Sequence, residues 1–276
     1  MAVPAARSGP PEAFDGPTLI PYATVRRSFW DGGDQSGRTL DYVYADSADA
    51  CQIVFSLPPG GRFLHAGDGF DAYERDIVWR VLTGVLAAAN PATGEVHVAG
   101  AGESLHFGGE TWLDGWSQGP GAVTVVEFTA PTRARAGRID RRPWPSRPSY
   151  ARDGAPPSRP EAGVTVRRLG GSDVLWRLEG DRDRVLVGHV VSTPHLTVGE
   201  VRLPPGGRGP ALERDGTTTM YVLEGVLGIE LPGMRTRLEA GEKDGVYLPP
   251  GVSHRPVNVA AGPVRALYQV VAGAGE

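Results

Sequence analysis

LPPGVSHRPVN, from Leu248 to Asn258, reads as a tight turn followed by the start of a strand. Pro249 and Gly251 supply the turn, because proline presets its backbone angle and glycine takes conformations that side chains resist. Beyond the turn the side chains alternate between two faces with period two, so His254 and Asn258 share one face. Upstream, LPPGG at Leu203 to Gly207 and the strand YVLEGVLGIEL at Tyr221 to Leu231 lead into it.

The same landmarks occur once before, in the same order. TVRR at Thr24 to Arg27 returns at Thr165 to Arg168, LPPGG at Leu57 to Gly61 returns at Leu203, and RVLTGVL around Gly84 returns as YVLEGVL around Gly225. AGE at Ala101 to Glu103 returns at Ala240 to Glu242, and closing strands VTVVEF and VRALYQVV complete each copy. Each landmark recurs roughly 140 residues on, the length of one ordinary domain. The 39 glycines and 25 prolines punctuate short alternating segments such as RTLDYVYAD, AVTVVEFTA and HLTVGEVRL, and helix-period stretches are scarce. That pattern predicts an all-β protein of antiparallel strands in two tandem units, 20–130 and 164–273. Between them, 131–163 is a linker too rich in Pro and Arg to pack a core; Trp144 and Tyr150 are placed to pin it to a barrel as an ordered strap.

A formal charge of −4 and an arginine cluster confined to the Pro-rich linker (Arg133 to Arg147) argue against nucleic acid as a partner. Lys243 is the only lysine. No apolar run of about 18 residues is present to cross a bilayer, and MAVPAARSGPPEAFDG lacks the apolar stretch of a secretory signal. The expected compartment is the cytoplasm, without a membrane partner. The single cysteine, Cys51 in ACQIVF, reads as a buried strand residue.

With these residues on view, the chain resembles the cupin superfamily, and the repeat resembles a bicupin: two double-stranded β-helix, or jelly-roll, barrels in tandem. The second cupin motif, PxGxxHxxxN, is complete as Pro249, Gly251, His254 and Asn258. In the family that face lines the barrel interior, and histidines of two motifs hold a metal. The first motif departs from the pattern. Anchored on Gly225, its glutamate place is Thr218, and its histidine places are Leu212 and Arg214 or, with the longer spacing, Ala211 and Glu213. In the N-terminal copy, anchored on Gly84, the glutamate place is Ile77, the histidine places are Phe70 and Ala72 or Asp71 and Tyr73, and the second-motif histidine is Leu113. Ile77, Trp79 and Val81 share one strand face, so an apolar filling is expected where a metal would sit. ANPATGEVH at Ala89 to His97 and the TWLDGW segment also resemble a group of bacterial cupins, with Leu113 and Asp114 at two histidine places.

His254 is the leading chemical candidate, as a histidine in an intact motif facing a cavity. Glu213 and Asp215 are its candidate catalytic partners, and together with His254 they are also candidate ligands for a hard cation. Thr218, Met220 and Asn258 are expected to line the same pocket; Trp79, Trp112 and Trp116 are candidate contacts in the first barrel, with Asp114 the acid between the last two. The remaining histidines lack metal-ligand spacing.

The reading that follows is an enzyme acting on a small organic molecule by acid–base catalysis, without metal or other cofactor: a cyclase, isomerase or dehydratase of secondary metabolism. Two alternatives stand beside it: a cupin oxygenase or decarboxylase with Fe, Mn or Ni held in part by His254, and a non-catalytic metabolite-binding bicupin. Cupins often pair through sheet edges, so a homodimer is one expectation, and two barrels satisfying that surface within one chain is the other.

Overall fold

The alternating segments form strands because β-branched and aromatic side chains pack on a pleated surface, with one set turned inward and the next outward. The computed structural model describes residues 14–30, 39–47, 50–62, 70–73, 76–90, 94–109, 111–130, 137–139, 166–179 and 185–272. Its strands are β1 (Thr18–Ile20), β2 (Arg26–Trp30), β3 (Thr39–Asp46), β4 (Cys51–Leu57), β5 (Phe70–Tyr73), β6 (Asp76–Thr83), β7 (Val85–Asn90), β8 (Glu95–Gly100), β9 (Ser104–Phe107), β10 (Thr111–Ser117) and β11 (Val123–Ala130). After β12 (Gly137–Ile139) the second half runs β13 (Val166–Leu169), β14 (Leu175–Glu179), β15 (Val185–Ser192), β16 (Leu196–Leu203), β17 (Thr218–Glu224), β18 (Leu227–Leu231), β19 (Thr236–Ala240), β20 (Gly245–Leu248), β21 (Arg255–Val257) and β22 (Val264–Val271).

Each half is a two-sheet barrel. The first joins β13-β9-β6-β11-β4-β3-β2 to β12-β5-β10-β7-β8, and the second joins β1-β20-β17-β22-β16-β15-β14 to β19-β18-β21. Pairing is antiparallel throughout, as the jelly-roll reading expects. Gly84 and Gly225 mark the equivalent corner of each copy: both have φ +78°, and a Cβ would lie 2.5 Å from Ala122 O in one and 2.4 Å from Pro263 O in the other. Only glycine fits there.

The copies exchange strands. β1, from the N-terminal half, pairs with β20, and β13, from the C-terminal half, pairs with β9. The stretch 166–169, placed by sequence with the second barrel, thus completes a sheet of the first. The TVRR match is not a structural repeat: Arg26 and Arg27 begin β2 and pair with β3, whereas Arg167 and Arg168 lie in β13. Within 131–163 only β12 is described, as the edge strand beside β5; Trp144 and Tyr150 lie outside the described residues.

The larger sheets of the two barrels pack face to face, which buries both faces of their central strands. On β11, Val123 and Val125 join the first core while Val126, Phe128 and Ala130 join the interface. On β22, Val264, Ala266 and Tyr268 join the second core while Leu267 and Val271 cross to the interface. Polar bridges fix the docking: Gln52 Nε2 donates to Met220 O at 3.1 Å, Gln269 Nε2 to Cys51 O at 3.2 Å, and Thr193 Oγ1 to Asp76 Oδ2 at 2.7 Å. Arg80, 7% exposed, reaches Glu200 across the junction at 3.3 Å. Arg202 and Arg265 donate to the other Glu200 oxygen at 2.8 and 2.9 Å, so that carboxylate is shared by both halves. Cys51 is buried in the first core, as the apolar strand reading expects. No helix among the described residues is long and apolar enough to cross a membrane.

Candidate functional site

The turn at Pro249 to Gly251 delivers His254 to an isolated bridge with Leu212, each backbone N–H donating to the other's carbonyl at 2.8 Å. Residues opposite each other in such a bridge point to the same side, so Leu212 shares the face of His254. Alternation then sends Arg214 inward and Glu213 and Asp215 outward. Exposure agrees: Arg214 is half-buried, whereas Glu213 and Asp215 are exposed. The two carboxylates expected to partner His254, in catalysis or around a cation, are therefore turned to water. An arginine holds the inward place.

His254 is 1% exposed. Its Nδ1 lies 2.9 Å from Val252 O, and because a carbonyl only accepts, Nδ1 carries the hydrogen. In the neutral ring this leaves a bare lone pair on Nε2, a buried atom with no hydrogen-bond partner in the protein. Burial holds the imidazole below its ordinary pKa, and the Arg214 charge adds to that, against the Val252 bond. At neutral pH His254 is an uncharged base.

Tyr268, on the inward face of β22, is 3% exposed, and its Oη lies 3.2 Å from His189 Nδ1. Burial pushes its phenol up to about 12, opposed by Arg214. His189 is lowered by burial and next by Arg177, and its Nε2 is also buried and unpartnered. The Arg214 guanidinium sits 5.9 Å from the centroid of the Tyr268 ring, and its Nε is buried without a partner. Burial pulls Arg214 below its ordinary value, eased by Tyr268 and Glu179. Glu179 itself is ion-paired with Arg177 on the edge strand β14.

Thr218 and Met220 occupy the inward face of β17; Met220 packs in the second core and Thr218 Oγ1 is buried without a partner. Asn258, expected in the lining, instead clamps a turn. Its Nδ2 donates to Leu203 O, Pro204 O and Gly262 O at 3.1, 3.0 and 2.8 Å, and its Oδ1 accepts from Ala260 N at 2.9 Å. No polar atom of Asn258 remains for a ligand.

The first barrel is filled. Ile77, Trp79 and Val81 lie in its core, where the Trp79 ring meets Phe55 and Phe107 edge-on with centroids 5.5 and 4.7 Å away. Trp79 Nε1 donates to Glu127 Oε2 at 2.8 Å, so this candidate ligand contact is a satisfied core residue. Leu113 packs in the same core, and the fully buried Asp114 is ion-paired with Arg62. Trp116 is half-buried and donates to Gln118 Oε1 at 2.8 Å. The side chain of Trp112 lies outside the described residues, as do Phe70 to Tyr73 beyond their backbone.

A metal facing His254 would need its remaining ligands from Leu212, Arg214 and Thr218. An aliphatic chain has no lone pair to offer, a guanidinium repels a cation, and a neutral threonine hydroxyl is a weak ligand. Among the described residues no three His, Cys, Asp or Glu side chains converge. The residues present do not fit the metal of the family pattern.

Arg214, Tyr268 and His189 were not singled out by sequence. Arg214 was visible only as a failed ligand place, and Tyr268 only as one more aromatic in an apolar strand.

Comparison with known proteins bears on the fold. Residues 199–270 match the family model described as a cupin domain. No curated protein matches the chain. Among solved structures, a putative glyoxylate-induced protein from Pseudomonas aeruginosa is similar over 99% of this chain and 95% of its own, at 17% identity and a TM-score of 0.67. AerE from Microcystis aeruginosa is similar over 92% and 98%, at 9% identity and 0.61. A deletion mutant of Bacillus subtilis oxalate decarboxylase is similar over 95% and 78%, at 10% identity and 0.64. At such identities the likeness carries the two-barrel architecture alone.

Proposed function

We propose that the C-terminal of the two tandem barrels, the one whose residues 199–270 match the cupin-domain model, is an enzyme site that moves a proton on a small organic molecule, with His254 as the base. The observation that carries this is the Nε2 lone pair of His254, buried, unpartnered and held in one tautomer by the Val252 carbonyl. Leaving a buried polar atom unpaired costs about 1–3 kcal/mol, a cost that a substrate proton at Nε2 would remove.

In the reaction, Nε2 takes a proton from a carbon or hydroxyl of the substrate. The imidazolium that forms keeps its Nδ1–H on Val252 O, while the Arg214 charge stabilises the negative charge left on the substrate. Returning the proton to another atom completes an isomerisation or cyclisation; passing it to a departing hydroxyl completes a dehydration. Tyr268 stays protonated and donates a hydrogen bond. The setting is that of a biosynthetic enzyme in the cytoplasm, where a lone buried Cys51 stays reduced.

The test is deuterium wash-in. Wild-type and His254→Asn protein are incubated in D₂O with a panel of enolisable ketones, 2-oxo acids and hydroxy acids, and deuterium uptake is followed by NMR. General-base catalysis contributes about 10²–10⁴-fold, so the variant is expected to lose at least a hundredfold of any catalysed exchange. Equal exchange by both proteins overturns the assignment.

A further inference from the structure

The charges around His254 do not balance. Glu179 is paired with Arg177, while among the described residues no carboxylate is paired with Arg214, and Glu213 and Asp215 beside it point to water. His254, His189 and Tyr268 are uncharged at neutral pH for the reasons given above. One positive charge is left over, on a guanidinium with a buried, unpartnered Nε, packed against an aromatic ring beside an imidazole whose lone pair is also unpartnered. A half-buried charge without a carboxylate partner is costly, and groups kept in that condition mark sites where a ligand supplies the missing partner.

We propose that the C-terminal barrel takes a substrate bearing one carboxylate, and that this carboxylate docks on Arg214 so that the neighbouring atoms face His254 Nε2. The proposal rests on the acid–base reading of the same barrel and adds the substrate class. A guanidinium fork matches a carboxylate with two parallel hydrogen bonds, and a single negative charge neutralises the surplus. A phosphate dianion would bring a second charge for which this wall offers no partner. The rest of the substrate meets Met220, Val222 and Thr218, so an apolar body with few hydroxyls suits it. Docking through the carboxylate also explains why an arginine stands where the family pattern has a metal ligand: each fixes an anionic oxygen, one by coordination and the other by hydrogen bonds.

Three probes of one shape separate the possibilities: benzoate, benzamide and phenyl phosphate. Binding to the intact chain is measured by calorimetry and by the ligand-induced rise in melting temperature, at constant ionic strength. The expected result is benzoate binding at least tenfold tighter than benzamide or phenyl phosphate, and a tenfold or greater loss of that binding in Arg214→Met with benzamide unaffected. Removing a half-buried charge that has no carboxylate partner should also raise the melting temperature of ligand-free Arg214→Met above that of wild type, so failure to fold would itself count against the proposal. Benzamide binding as well as benzoate, preference for phenyl phosphate, or benzoate binding that survives Arg214→Met each overturns it. The deuterium wash-in fails separately: carboxylate binding that depends on Arg214, with no exchange dependent on His254, would leave the anion site standing and remove the catalytic reading.

Discussion

Tyr44, on β3 of the first barrel, lays its ring against Gly245, the first residue of β20 in the second. A Cβ at Gly245 would lie 2.5 Å from Tyr44 Cδ1 and 3.2 and 3.3 Å from Cε1 and Cγ. The backbone at Gly245 is not in the left-handed region, so the cost of Gly245→Ala is steric and comes from this one ring. Tyr44 is 1% exposed, its hydroxyl donates to Lys243 O, and its ring meets Tyr221 edge-on, so it has no room to retreat. Overpacking of this kind costs about 1–3 kcal/mol. Tyr44→Ala removes a large buried aromatic at about 3–5 kcal/mol. In the double variant the added methyl enters the vacated space, so its cost disappears and the total should not exceed that of Tyr44→Ala alone. The predicted coupling is therefore about 1–3 kcal/mol in favour of the double variant. Urea unfolding followed by far-ultraviolet circular dichroism and by tryptophan fluorescence measures it. Both probes should report one transition, because this contact and the shared sheets bind the barrels into a single unit. Additivity of the two single costs within about 0.5 kcal/mol would refute the packing argument, and two separate transitions would refute the single unit.

The site predicts a pH dependence of stability. Above pH 6.5 His254 is neutral whether folded or unfolded. As pH falls below that value the unfolded chain takes up a proton that the folded barrel refuses, so stability drops by up to about 1.4 kcal/mol per pH unit until the depressed folded pKa is passed. His254→Gln should flatten that slope in urea titrations between pH 6.5 and 5, and an unchanged slope would contradict the buried neutral ring. In the first barrel, Trp79→Ala should cost about 3–5 kcal/mol, read from chemical unfolding, yet leave benzoate affinity unchanged at temperatures well below melting. Loss of benzoate binding in that variant would show that Trp79 contacts the ligand instead of filling a core.

The repeat and the strand class could be read from sequence because they rest on local chemistry. Gly84 and Gly225 recur since the same corner requires a positive φ and a missing Cβ in both copies. Ile77, Trp79 and Val81 announce a filled interior because period-two alternation puts them on one face. The exchange of β1 and β13 could not be read in this way. Each pairs with the opposite half, Leu19 with Val246 and Arg167 with His106, and no local pattern distinguishes those partners from nearer strands. The register around Arg214 was the other obstacle. A slip of one residue turns every side chain to the opposite face, and a turn without fixed spacing leaves both settings open. The Leu212–His254 bridge selects the setting that buries the arginine and exposes both carboxylates.

On the proposed reading, the two barrels divide stability and chemistry between them. In the second, Arg214 Nε, Thr218 Oγ1, His189 Nε2 and His254 Nε2 are buried and unpartnered, each at about 1–3 kcal/mol. Each such atom costs stability until a ligand or water partners it. The first barrel has replaced the ligand places of the family pattern with apolar residues, including Ile77 and Leu113, and the interface adds Tyr44, Phe128, Tyr221 and Leu267. If the halves unfold together, that surplus offsets the cost of the polar site in the second barrel. Apolar residues at those places then serve stability. A barrel filled with Trp79, Phe55 and Phe107 lets its partner keep an interior that, without a ligand, is poorly satisfied.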